Sequence, residues 1–326
     1  MNAPLSPAAH STAKLFGMVV ISMLIFLAAC VLPEGSLSRY GVSDKTTVPV
    51  FVPKELREIS GIAMTRDGRL FAQGDEQAAV YQLDLKTGEV LKRIYLIETS
   101  LLGKHIIKGD FEDIAVAGKR LFLITSSGVL YQFADSSVGT AFADGITVAY
   151  KLYETHLGEG FDIEGLCYDD STDALLIACK EFPRGNAAVQ YPPMLWKSKT
   201  KKLFKPVFSF SLKTMTLTAA PRFLLPHETL RESSKDDDFK PSGIARHPLT
   251  GNFFVLASRG HSLTEISPDG RVLSQAKLPH AVHPQPEGIT FDSGGTLYIS
   301  NEASSSGKGE SERRGTIFCY PMQHSK

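Results

Sequence analysis

The sequence predicts an all-β fold, on three observations. A pattern of acid or Ser, Gly and an aliphatic residue recurs along the chain: EISGIA at 58–63, FEDIAV at 111–116, DIEGLC at 162–167, KPSGIA at 240–245 and QPEGIT at 285–290. Each copy opens a set of short apolar, β-prone runs separated by turn residues. The last copy is one run short, while a spare run, TTVPVFV at 46–52, stands before the first. Four short strands per repeat are the sequence form of a propeller blade. The expected architecture is a single β-propeller of four-stranded blades. Five repeats are visible, and the long gap at 183–240 leaves room for a degenerate sixth. The spare N-terminal strand closes the ring, which also covers an edge that would otherwise invite aggregation.

The elements follow in order. In the first copy, 61–64, 70–72, 80–85 and 90–96 are strands, punctuated by Arg66-Asp67-Gly68 and Lys86-Thr87-Gly88-Glu89. The second runs 114–116, 121–124, 129–133 and about 147–152. The third runs 166–168, 175–179, 207–212 and about 215–219. The fourth runs 244–247, 253–257, 263–267 and 272–278, and the fifth 289–292, 297–300 and 316–320. Pro49 within 46–52 marks that run as an edge strand.

The chain has 326 residues, with Lys plus Arg and Asp plus Glu both at 35. That balance shows no basic footprint, so nucleic acid is not the expected partner. Residues 1–29 read as an export signal, with an apolar stretch from Leu15 to Ala29 ending in small residues. The ending Leu27-Ala28-Ala29-Cys30 resembles the bacterial lipobox, which implies that Cys30 is the lipidated N-terminus of the mature chain. The alternative is an uncleaved inner-membrane signal anchor with a periplasmic domain. Val31, in place of the Asp associated with inner-membrane retention, favours an outer-membrane address facing the periplasm. Residues 30–45 then read as a lipidated tether and 46–326 as the propeller. Of the remaining cysteines, Cys167 falls opposite about Leu176 in the expected hairpin. A Cys167–Cys179 bridge is therefore out of step, and these are small apolar strand residues.

Tight links between first and second strands, such as Asp67-Gly68 and Gly294-Gly295, fall on one face of the disc. The long connections 97–110, 181–205, 226–241 and 302–315 fall on the other. Long loops gathered on one face are where function is expected. On that face the residue before the repeated Gly position is Ser60, Glu112, Glu164, Ser242 and Glu287. First strands line a propeller's channel, so three carboxylates should converge at its mouth. Asp75, Asp113, Asp162, Lys180, Glu181, Arg259, Asn301 and Glu302 are expected on the same rim. Converging carboxylates resist ionisation unless offset. The offset is a hard cation such as Ca²⁺, a pairing with Lys180 or Arg259, or backbone N–H groups of the next blade. His280 and His283 lie just upstream of Glu287, and His261 beside Arg259, without a nucleophile at fixed spacing. Trp196, in the longest insertion, is either a lid residue or local core.

Taken together and in order, EISGIA, KGDFEDIA, FDIEGLCYD, PSGIARHP, QPEGITFD and LYISNE make the chain from about Val50 to Tyr320 resemble the SdiA-regulated (YjiK-like) family of exported bacterial propellers. That family is related to NHL-like and phytase-like propellers. The resemblance implies a propeller with Ca²⁺ in the channel, at Glu112, Glu164 and Glu287; Ser60 and Ser242 depart from a full acidic ring. It does not supply a reaction. Two functions follow. One is a non-catalytic envelope module that binds a small ligand or a protein at the long-loop face. The other is a calcium-dependent hydrolase acting on lactones, esters or phosphate esters, with Glu164, Glu287 and Asn301 on the metal and His283 or Glu302 as base.

Overall fold

A computed structural model describes residues 35–44, 47–101, 103–136, 138–181, 204–230, 239–303 and 314–323. The signal segment, Cys30, Trp196 and the insertions at 183–203 and 304–313 lie outside these residues, and so does half of the gap that left room for a sixth blade. The chain divides into two units, residues 1–34 and 35–326, and only the second is described.

Strand β1 (Val50–Phe51) comes first, followed by β2 (Ile59–Met64), β3 (Leu70–Gly74), β4 (Ala79–Leu83) and β5 (Val90–Tyr95), which form the first blade. A small hairpin, β6 (Ile97–Ser100) and β7 (Gly103–Ile106), rises from the first long connection. The second blade is β8 (Phe111–Ala117), β9 (Arg120–Thr125) and β10 (Val129–Ala134), completed, after β11 (Thr140–Phe142) and β12 (Gly145–Thr147), by β13 (Tyr150–Glu154). The third holds β14 (Ile163–Asp169), β15 (Ala174–Cys179), β16 (Phe204–Ser211) and β17 (Thr216–Leu217), with β18 (Phe223–Pro226) also on β16. The fourth is β19 (Lys240–Arg246), β20 (Phe253–Arg259), β21 (Ser262–Ile266) and β22 (Val272–Lys277). The fifth is β23 (Pro286–Phe291), β24 (Leu297–Asn301) and β25 (Thr316–Tyr320). Strand β1 lies antiparallel on β25, Val50 opposite Ile317, and closes the ring as the sequence predicts. The fold is all-β, a propeller of five blades.

Alternation along the strands explains the core. Successive side chains point to opposite faces of a sheet, so each blade contributes to two interfaces. Ile62 packs with Tyr298 of the fifth blade, whereas its neighbour Ala63 packs with Leu121 and Phe133 of the second. Five apolar clusters result, one in each gap between neighbouring blades. Burial at about 25 cal/mol per Å² is thus spread around the ring, with no central core.

Three expectations need correction. Residues 145–147 do not begin the outer strand of the second blade. They pair in parallel with β5, because Ile146 and Val148 find apolar cover in the gap between the first two blades, and the outer strand starts at Tyr150. The run 46–52 shortens to β1. Finally, residues 35–44 are not a free tether. Leu37, Tyr40 and Val42 are buried against Phe254, Phe291 and Tyr320. The buried Glu265 accepts hydrogen bonds from the Leu37 N–H at 2.8 Å, the Ser36 hydroxyl at 2.9 Å, the Asn252 amide at 2.7 Å and the Ser274 hydroxyl at 3.0 Å. The Tyr40 hydroxyl donates to the Gly295 carbonyl and lies 2.7 Å from His247 Nε2. A polar composition gives no hint of this docking, since Glu265 reads as an ordinary strand residue. Cys167 does stand opposite Leu176, and Cys167, Cys179 and Cys319 are free thiols.

Candidate functional site at the acidic mouth of the channel

Each first strand carries a β-bulge at the position that the repeat singles out. The pairing register slips between Ile59 and Gly61, Phe111 and Asp113, Ile163 and Gly165, Pro241 and Gly243, and Pro286 and Ile289. The extra residue of a bulge is left out of the ladder and its side chain is re-aimed. Those extra residues are Ser60, Glu112, Glu164 and Ser242, and in the fifth blade the Glu287-Gly288 pair. The recurring Gly has a matching cause. A Cβ on Gly243 would stand 2.7 Å from the Glu287 carbonyl oxygen, and one on Gly61 2.8 Å from the Asp113 Cα. At Gly61 and Gly243 the inner strands approach too closely for a side chain without displacement of the neighbouring backbone.

The second blade has Asp113 where the others have Gly, and Asp113 is not a rim residue. It is buried, and its carboxylate accepts the N–H of Ile114 at 2.8 Å and, across the gap, that of Leu166 at 2.6 Å. Burial drives its carboxyl well above the usual range, against the pull of those two N–H groups. The backbone bolt considered for the glutamates is therefore made by Asp113. A parallel link runs from the Ser242 hydroxyl to the Pro286 carbonyl at 3.0 Å.

The three glutamates do come into mutual influence. Burial, then the charges of Glu164 and Asp110, push the Glu112 carboxyl up. Burial raises that of Glu164 against the opposing pull of Lys180, whose ammonium donates to Glu164 Oε1. Burial, Glu302 and Glu164 raise Glu287 to about 8, while the Ser258 hydroxyl donates to its Oε1 at 3.0 Å. Burial, Asp75 and Glu58 raise Glu302 to about 7, and the Gln285 amide donates to it. Asp75 is raised by burial and then by Glu58. Lys180 is the common counter-charge. Burial lowers its pKa, but Glu164, Asp162 and Glu112 outweigh that and hold it above its usual value. Among the described residues the Glu112 carboxylate has no hydrogen-bond partner.

The remaining candidates lie elsewhere. Glu181 pairs with Lys240. Arg259 is exposed. His261 and His280 lie in a tilted ring contact with centres 4.8 Å apart, and His261 Nε2 is 3.2 Å from the Pro284 carbonyl oxygen. His283 is fully buried, 2.7 Å from the Tyr320 hydroxyl and 3.2 Å from Asn301 Oδ1, and burial lowers its pKa to about 4. Asn301 is equally buried. Both residues are parts of the scaffold under the fifth blade, not groups lining the mouth. Calcium takes six to eight oxygens around one point. Among the described residues no three Asp, Glu, His or Cys side chains converge closely enough to hold a metal ion, and the Lys180 ammonium already stands on Glu164. The donor set does not fit calcium in this arrangement.

Fold and site define a five-bladed propeller with an acidic mouth on its long-loop face, where the Lys180 ammonium stands on Glu164. The chain belongs to the SdiA-regulated family, whose model matches residues 51–305. Among solved structures it is similar to the PQQ-bound aldose sugar dehydrogenase of Streptomyces coelicolor, at 13% identity and a TM-score of 0.53, covering 84% of this chain and 96% of that one. It is also similar to the glutaminyl cyclase of Myxococcus xanthus, at 14% identity and a TM-score of 0.49, covering 86% and 96%. At 13% identity the likeness to the dehydrogenase is one of fold alone. A comparison with curated proteins finds no match. Among the described residues no helix is long and apolar enough to cross a membrane.

Proposed function

We propose that this propeller is a non-catalytic binding module of the bacterial cell envelope, lipid-anchored through Cys30, whose acidic mouth receives a cationic group of a small ligand or a partner protein. The observation that carries the reading is the imbalance at the mouth. Glu112, Glu164, Glu287 and Glu302 all have carboxyls pushed up by burial and by neighbouring carboxylates, and Lys180 is the ammonium that eases all four. A second positive charge placed there relieves repulsion on every member. Lys180 on Glu164 supports an ammonium or guanidinium as the incoming group. The hydrolytic alternative has no observation of its own in its favour: His283 is sealed in the fifth blade, and Glu302 has no nucleophile paired with it.

The test is thermal-shift and calorimetric titration of the exported domain with spermidine, arginine amide and Ca²⁺ in parallel. The organic cations should raise Tm at pH 7.5, and Glu112→Gln should abolish the shift. If only calcium raises Tm, the mouth is a metal site. If none does, the cationic-ligand reading fails. For the anchor, Cys30→Ala should move the protein from the detergent phase to the aqueous phase, and an unchanged partition would refute lipidation.

A further inference from the structure

A cavity lies on the opposite face from the acidic mouth, among the tight turns. It has a volume of about 690 Å³ and continues into a narrow axial space of about 110 Å³ through Met64, Val116, Tyr168, Arg246 and Phe291, which line both. These five occupy the same position of the five first strands, four residues after the bulge positions of the first four blades. Sheet alternation and the common register bring them to one ring, four of whose members are apolar or aromatic. Together they make an apolar floor at the base of a polar funnel.

The funnel is closed by an unusual link. Asp170 sits in the turn after β14 in the third blade. One of its oxygens takes Arg246 Nη1 of the fourth blade at 2.5 Å, and the other takes Arg66 Nη2 of the first blade at 2.7 Å. The first and third blades are not neighbours, so this carboxylate spans the opening. Arg246 is fixed in place from behind, its Nε 3.1 Å from the fully buried Asp169. Asp169 is itself held by the hydroxyls of Ser171 and Thr172 at 2.6 and 2.7 Å. Arg66 is the reverse: 87% of its side chain is exposed, and an ion pair so open to solvent contributes little to stability. Over the apolar floor the funnel thus holds a rigid guanidinium, Arg246, and a movable one, Arg66, with Asp170 between them; its wall also carries Lys119, Asp292, and Arg69 paired with Asp67.

We propose that this funnel is a ligand site for a small carboxylate with an apolar body, and that Asp170 holds the ligand's place when the site is empty. Two guanidiniums already oriented on one carboxylate are an arrangement suited to fork-like recognition of another. The apolar body goes down onto Tyr168, Phe291 and Met64. The volume falls in the usual range of small-molecule pockets. Lys119, on the wall and without an ion pair among the described residues, adds positive charge that Asp170 does not offset. The two ends of the channel then have opposite preferences, cations at the long-loop mouth and anions at the short-loop funnel.

Octanoate is the probe, with octylamine and inorganic phosphate as controls, measured by calorimetry on the exported domain. Octanoate should bind the wild type, bind Asp170→Asn about tenfold more tightly because the competing carboxylate is gone, and bind Arg66→Ala about tenfold more weakly. Val116→Trp should abolish binding by filling the floor. Octylamine should not bind at the funnel, and phosphate should bind more weakly than octanoate for want of an apolar body. Glu112→Gln, at the other mouth, should leave octanoate binding unchanged, so that failure of this site and failure of the acidic-mouth reading are told apart. Octanoate that binds no protein form, or binds all equally, would overturn the proposal and leave Asp170 as an inter-blade latch only.

Discussion

Glu287→Gln isolates the electrostatic cost stored at the acidic mouth. The Glu287 carboxyl titrates near pH 8 in the folded chain, chiefly from burial and then from Glu302 and Glu164, and near 4.5 when unfolded. A folded pKa above the unfolded one means that the folded state holds a proton which the unfolded state releases between pH 4.5 and 8. Stability therefore falls as pH rises through that window. Each pH unit of unequal protonation is worth about 1.4 kcal/mol. From pH 4.5 to 7 this amounts to about 3 kcal/mol from Glu287 alone. Glutamine has the same shape, its amide oxygen still accepts the Ser258 hydroxyl, and it carries no charge at any pH. The variant should exceed the wild type by only about 1 kcal/mol at pH 5, where the unfolded side chain has begun to ionise, and by about 4 kcal/mol at pH 7.5. Urea denaturation at the two pH values is the assay. A variant less stable than the wild type at pH 7.5, or an equal difference at both pH values, would refute the account. Such a gain in stability should accompany a loss of affinity for cations, since a charge kept at a cost is what a binding site requires.

Other consequences concern the frame. Asp113→Ala strands two buried N–H groups, of Ile114 and Leu166, and should cost about 2–5 kcal/mol in urea denaturation. Gly243→Ala places a methyl group 2.7 Å from the Glu287 carbonyl oxygen and should cost about 1–3 kcal/mol by overpacking, with faster exchange of amides at the gap between the fourth and fifth blades. Glu265→Ala removes the acceptor of four hydrogen bonds, two of which dock residues 36 and 37; limited proteolysis should then cut within 35–44, which the wild type protects. Cys167 and Cys179 are buried thiols whose ionisation burial opposes first, so neither should react with Ellman's reagent before unfolding.

The repeat was legible because a propeller repeats its local physics. Gly is needed wherever inner strands nearly touch, and the bulge residue before it recurs for the same reason, so Glu112, Glu164 and Glu287 were found in the sequence as a set. The spare strand was legible because an open edge must be paired. What one residue does when it breaks the pattern was not legible. Asp113 occupies a Gly position and reads as another rim acid, yet it turns inward and bolts the second blade to the third. His283 and Asn301 read as a base and a ligand beside Glu287, whereas both are buried, His283 against the Tyr320 hydroxyl and Asn301 against His283. Residues 35–44 read as a tether because their partner, Glu265, is more than two hundred residues away.

The sequence by itself thus determined the repeat and its five visible copies, the closure of the ring and the position in each blade from which the mouth is built; that the ring holds five blades and not six was decided by the structure. The repeat, the closure and that position follow from local rules of period, turn and edge that each copy obeys independently. Only the tertiary structure decided that Lys180 is the counter-charge of the acidic mouth, and that Arg66, Asp170 and Arg246, from three blades, meet over the funnel at the far end. Closing the ring brings together turns that are distant in sequence, and no spacing along the chain records which charges will then face one another.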